Sequence, residues 1–172
     1  PSYTFFRGTA YAIPNTYLTV TSDRFDTPHL AHEMGHCLGL YHTHEANVFG
    51  AEWVNGLNCG ISGDLICDTP ADPQLDGDTN VTGCVYTGSE TDLWGDPYAP
   101  LTDNVMSYAP FACRAYFTAD QEARMQANLS LPGGTLDAVQ AEPSGFHIVP
   151  VSSGTHVHAS ASGATYAELL SN

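Results

Sequence analysis

The sequence predicts an α+β domain, and three observations carry that class. Two short runs rich in aromatic and β-branched residues stand near the N-terminus. Two helical patterns with cap signals occupy residues 27–40 and 118–131. Between them, residues 43–104 show no sustained period and many turn residues.

The first two elements are "YTFFRGTAYAI" and "TYLTVTS", read as strands and punctuated by Gly8 and by Pro14-Asn15. "TPHLAHEMGHCLGL" follows as a helix, with Thr27 as cap, Pro28 in the first turn and Gly39 at its end. So long an irregular stretch after it is unusual unless metal, disulfides or function organise it. "TADQEARMQANLSL" is the second helix, with Thr118 and Gln121 spaced as a capping box. After Pro132-Gly133-Gly134 the composition shifts to Ser, Ala, Thr and His. Residues 1–131 therefore read as the main domain, and 132–172 as a tail or small β appendage.

A 42 % hydrophobic content with 16 Gly and 11 Pro suits a loop-rich globular chain of 172 residues. Four Lys and Arg against 19 Asp and Glu give a net charge of −15. That charge speaks against nucleic acid and anionic membranes as partners, and no apolar run is long enough for a membrane span. It fits a secreted protein or one with sites for hard cations. Four of the five cysteines (Cys59, Cys67, Cys84 and Cys113) fall in or beside the irregular middle, where disulfides staple such backbone. Cys37 sits in the apolar pattern of the first helix as a small buried hydrophobe. The chain begins "PSYTFFRGTAYAIP", as a processed or truncated product would.

The chemistry concentrates in "HEMGHCLGLYHTH". His32 and His36 are four residues apart, on one helix face, and can hold a metal from the same side. Glu33 directly follows the first ligand and can take a proton from metal-activated water. Gly39 can adopt the positive φ that turns the chain back, so that His42 returns as a third ligand. His44 competes as a donor without favourable spacing. His29, His147, His156 and His158 read as ordinary surface or tail residues.

HExxHxxGxxH followed by a methionine turn resembles the metzincin metallopeptidases. The turn would be "NVMSY", with Met106 as an apolar floor and Tyr108 at the position of a tyrosine that stabilises the tetrahedral intermediate. "HEMGHCLGLYHTH", "GDLICDTPADP", "NVMSY", Cys113 and "FTADQEARM" occur in the order found in the pappalysin (cytophagalysin-like) family, over about residues 8–130. The resemblance implies a metzincin-type catalytic domain: an active-site helix, then an irregular C-terminal subdomain with methionine turn and C-terminal helix. Only 31 residues precede His32, so most of the usual N-terminal sheet subdomain would be missing or supplied by another segment or chain.

The same resemblance implies the bridge Cys84–Cys113, with Cys59–Cys67 as the remaining pair, although four cysteines permit three pairings. It also carries calcium over to Asp64, Asp68 and Thr69. The alternative there is an acidic solvated loop held by Asx-turns. "DPQLDG" is not an EF-hand, because Gly83 stands where the bidentate Glu belongs. Relatives that cleave before Arg or Lys have an Asp five residues after the turn methionine, in the S1′ pocket. Phe111 stands there, so basic P1′ residues are not expected to be preferred.

These readings lead to a secreted zinc endopeptidase acting on proteins or peptides. One competing function is a catalytically incompetent, zinc-stabilised peptide-binding fragment, against which Glu33 speaks. The other is a hydrolase of another substrate class on the same tripod. Nothing in the sequence indicates an oligomeric state.

Overall fold

In a computed structural model the described residues are 8–77, 79–137, 147–150 and 156–160, the last two for their backbone. The chain divides into two compact units: residues 1–39 with 124–172, and residues 40–123.

The first unit is built on a four-stranded antiparallel sheet. Its strands are β1 (Gly8–Ala10), β2 (Tyr17–Thr21), β5 (His147–Pro150) and β6 (His156–Ser160), in the order β1-β2-β6-β5. Two strands are legible near the N-terminus, but the sheet has four. β6 pairs along the whole of β2, from Tyr17 opposite Ser160 to Thr21 opposite His156. These late strands are too short for period alone to mark them, and a pairing across so much sequence leaves no local signal. The side chains of His147, His156 and His158, the N-terminal part of the first aromatic run and most of the tail lie outside the described residues.

Helix α1 (Pro28–Cys37) belongs to the same unit. Leu18, Val20 and Cys37 form its buried core, with Ala10, Phe25, Leu30 and Met34 packed against them. The helix starts where Thr27 Oγ1 accepts the His29 amide at 3.3 Å, with Pro28 in the first turn, where its missing N–H is harmless. It stops because Gly39, at φ +97°, leaves the helical path; its amide donates back to His36 at 3.0 Å. Asn128 Nδ2 donates to the orphan Leu38 carbonyl at 2.9 Å and seals that end. Cys37 is buried and free, its thiol donating to the Tyr17 carbonyl.

The second unit has little regular structure. Two bridges staple it: Cys59–Cys67 and Cys84–Cys113. Strands β3 (Val81–Thr82) and β4 (Val85–Tyr86) form a hairpin whose two loop residues, Gly83 and Cys84, have φ of +57° and +62°. Such a turn needs positive φ at both central positions. Leu75, Val81, Ala109 and Cys113 are buried together above it, with Tyr86 alongside. Carboxylates replace much of the missing backbone pairing. Asp92 accepts from the amides of Val54, Trp94 and Asp96, and Asp72 from Gln74, Leu75 and the Thr43 hydroxyl.

Helix α2 (Ala119–Ser130) opens on a reciprocal capping box: the Thr118 amide donates to Gln121 Oε1 at 2.9 Å, and the Gln121 amide to Thr118 Oγ1 at 3.3 Å. Gln121 and Asn104, both 0 % exposed, also exchange amide hydrogen bonds at 2.8 and 3.2 Å. Asn104 Oδ1 accepts the Met106 amide at 2.8 Å, fixing the tight turn in which Met106 is wholly buried.

Candidate metal centre

Within the eleven residues from His32 to His42, the helix and the glycine turn bring three imidazoles together. His32, His36 and His42 each offer a nitrogen, and these atoms all lie within 4.8 Å of one another. His32 and His36 are one helical turn apart, with rings edge to face at 4.8 Å, and are 3 % and 6 % exposed. Three neutral imidazole donors form a donor set that zinc takes in open, catalytic sites, so the residues present fit the metal. Glu45 Oε2 lies 4.0 Å from His42 Nδ1, in range for an ion pair but too far for a hydrogen bond that would orient the ring.

Glu33, next in sequence to His32, is buried. Burial pushes its carboxyl up to about 7, against the opposing pull of the Ala10 backbone amide. His29, one turn earlier, puts Nε2 3.5 Å from Glu33 Oε1. It reads as a surface residue in sequence, but only 14 % of its side chain is exposed. Gly8 explains the burial: a Cβ there would stand 2.6 Å from His29 Nε2 and 3.0 Å from Glu33 Cγ, so the strand passes only as glycine. The i, i+4 spacing of His29 and Glu33 was the available signal; the covering strand was not.

In the second unit, Tyr108 stands with its ring centroid 4.7 Å from His42 and 4.4 Å from His44. Met106 accepts the Thr43 amide on its carbonyl at 3.3 Å, which ties its turn to the residue after His42. Asp64 and Thr69 meet: the Thr69 hydroxyl lies 3.0 Å from both carboxylate oxygens, and the Ile66 amide donates to Oδ1. Asp68 is turned elsewhere, accepting from the Thr118 hydroxyl at 2.6 Å and the Asp120 amide at 2.9 Å, where a carboxylate suits the helix N-terminus.

Two residues near these groups went unnoticed in sequence. Glu52 is 6 % exposed, and its Oε2 has no hydrogen-bond partner among the described residues. Burial, and then the charge of Asp64, push it up to about 8. Arg114 lies over the Phe111 ring at 4.8 Å and donates from Nε to the Ala109 carbonyl at 2.7 Å.

The family model for M43 peptidases, described as pregnancy-associated plasma protein-A, matches residues 7–130. An extracellular metalloprotease of Colletotrichum graminicola is 38 % identical over 98 residues, 56 % of this chain and 28 % of that protein. Its counterpart in Pyricularia oryzae is 31 % identical over 96 residues, with the same shares covered. The chain thus spans a little over a quarter of the length of the curated relatives it matches. Among solved structures, mature mirolysin of Tannerella forsythia in complex with a cleaved peptide is similar, with 23 % identity and a TM-score of 0.44. The match covers 64 % of this chain and 36 % of that one.

Proposed function

Because the chain belongs to the M43 (pappalysin) family of metzincin metallopeptidases, we propose that it hydrolyses internal peptide bonds of proteins or peptides with zinc as cofactor. The observation that carries this is the convergence of His32, His36 and His42 with a buried carboxylate, Glu33, next in sequence to the first of them. His32, His36 and His42 would hold the zinc, which when bound would supply Lewis acidity. Glu33 takes the proton from the attacking water and returns it to the leaving amine. His29 and the Ala10 amide orient the Glu33 carboxylate for that transfer. Tyr108 donates its phenol to the developing oxyanion, and Met106 serves as an apolar floor for the ligands.

Phe111 lines the S1′ pocket in this reading and disfavours basic side chains there. Calcium is proposed at Asp64, Asp68 and Thr69, with Asp68 also accepting from the Thr118 hydroxyl and the Asp120 amide. Loss of a calcium-induced rise in Tm in Asp64→Asn tests that site. Secretion is supported by the relatives, named extracellular metalloproteases, and by two formed disulfides. No described helix is long and apolar enough to cross a membrane.

Metal analysis combined with cleavage of an unstructured protein tests the central reading. Cleavage should stop with a chelator, return with zinc, and be almost absent in Glu33→Gln, which keeps its zinc. Peptide binding without turnover by the zinc-loaded parent chain would overturn it in favour of a binding fragment.

A further inference from the structure

The chain has four Lys and Arg against 19 Asp and Glu, so every cation has many potential carboxylate partners. Among the described residues, Arg114 takes none of them. No carboxylate of the described residues lies within ion-pair distance of it. Its Nε donates to the Ala109 carbonyl at 2.7 Å, and its guanidinium carbon sits 4.8 Å from the Phe111 centroid. A stacked guanidinium with Nε engaged is held rigidly and still has four N–H donors on its terminal nitrogens.

The surroundings make this position chemically specific. Burial pushes Arg114 down to about 10, and the Tyr108 hydroxyl is near enough to act on it electrostatically. The residue it hydrogen-bonds, Ala109, follows Tyr108 directly, and the Tyr108 ring is 4.7 Å from that of His42. All of these groups belong to the second unit. A half-buried guanidinium with no counter-ion among the described residues is costly to keep, and a ligand carboxylate would remove that cost while meeting the fork in bidentate geometry.

We infer that Arg114, seated on Phe111, receives a carboxylate of the bound peptide next to Tyr108. The carboxylate is either an acidic side chain or a chain-terminal carboxylate. The inference rests on the peptidase reading for its ligand class, and it extends the specificity of that site from an absence of basic preference to a selection for anions.

Equilibrium binding of labelled peptides to the zinc-loaded, full-length Glu33→Gln chain tests it without requiring turnover. Three sets are compared: amidated peptides with one Glu scanned through the sequence, the same peptides with Gln, and Gln peptides ending in a free carboxylate. At least one carboxylate-bearing set should bind roughly tenfold tighter or more than its neutral match, as a charged hydrogen-bonded pair provides. The set that gains identifies the source. Arg114→Gln should erase the difference, and Arg114→Lys should restore part of it, since the charge returns without the fork.

Equal affinity for all sets, no binding of any peptide, or a preference that survives Arg114→Gln would each overturn the inference. Should Arg114→Gln fail to fold, the comparison between peptides on the parent surface still decides. If the acidic preference holds while the Glu33-intact chain cleaves none of these peptides, the peptidase reading fails and the carboxylate site stands.

Discussion

The rings of His42 and His44 lie almost parallel, 4.9 Å apart between centroids and 11° between planes. His42 closes the tripod of nitrogens with His32 and His36, and His44 stacks on its outer face against Tyr108. His42→Ala should therefore strip zinc from the dialysed protein, while His44→Ala keeps roughly one ion per chain, as three remaining imidazoles allow. Metal content by atomic absorption separates the two. Equal losses would mean that His44 is a ligand.

Tyr108→Phe removes one hydroxyl and leaves the ring contact with His42, at 4.7 Å, in place. An interaction made only in the transition state lowers kcat and spares KM. The expected loss in kcat is about 100- to 1000-fold, the range for an oxyanion donor. Steady-state kinetics on a single peptide decides; a change confined to KM would make Tyr108 a substrate-binding residue.

Gly39 carries two constraints that a single substitution can resolve. Its φ is +97°, and an added Cβ would fall 1.9 Å from Asn128 Nδ2. Gly39→Ala should destabilise by about 1–3 kcal/mol or more, combining backbone strain with the displaced cap on Leu38. Adding Asn128→Ala relieves only the clash, so thermal unfolding of the double variant should still fall well short of Asn128→Ala alone. Full recovery to the Asn128→Ala level would show that the positive φ costs nothing.

Glu52 should make stability fall with rising pH. Its folded pKa is raised to about 8 from an ordinary 4.5. Between those values the folded chain retains a proton that the unfolded chain has released, so the unfolded state gains on it as pH climbs. Glu52→Gln removes that slope: its Tm should exceed the parent's by a margin that widens from pH 5 to pH 8. Calorimetry at several pH values checks this, and a constant difference would show that Glu52 titrates normally.

The tripod was legible because the rules behind it are local. A four-residue spacing puts two histidines on one face, and a glycine three residues on reverses the chain. Both helix starts were equally visible in Thr27-Pro28 and in the Thr118–Gln121 pair. What escaped was tertiary. His29 reads as surface until Gly8 lets a strand lie against it. Glu52 looks like any acid until Gly63 closes over it, at a distance where a Cβ would come 2.7 Å from Oε2. β6 has no mark in its own residues of pairing with β2, because that register joins Tyr17 to Ser160. Basic residues are scarce by composition, but only the fold shows that none of the described acids reaches Arg114.

Asn104 and Gln121 meet at zero exposure, with Oε1 of the glutamine shared between the Asn104 amide and the Thr118 backbone. The same asparagine holds the Met106 amide. A protein engineer wishing to transplant the Met106–Tyr108 turn into another scaffold would thus have to move Asn104, Thr118 and Gln121 with it. Asn104 would arrive without an acceptor for its amide unless Gln121 came with it, and Gln121 is oriented by the helix start at Thr118. The turn is portable only as a cassette that includes the first turn of α2.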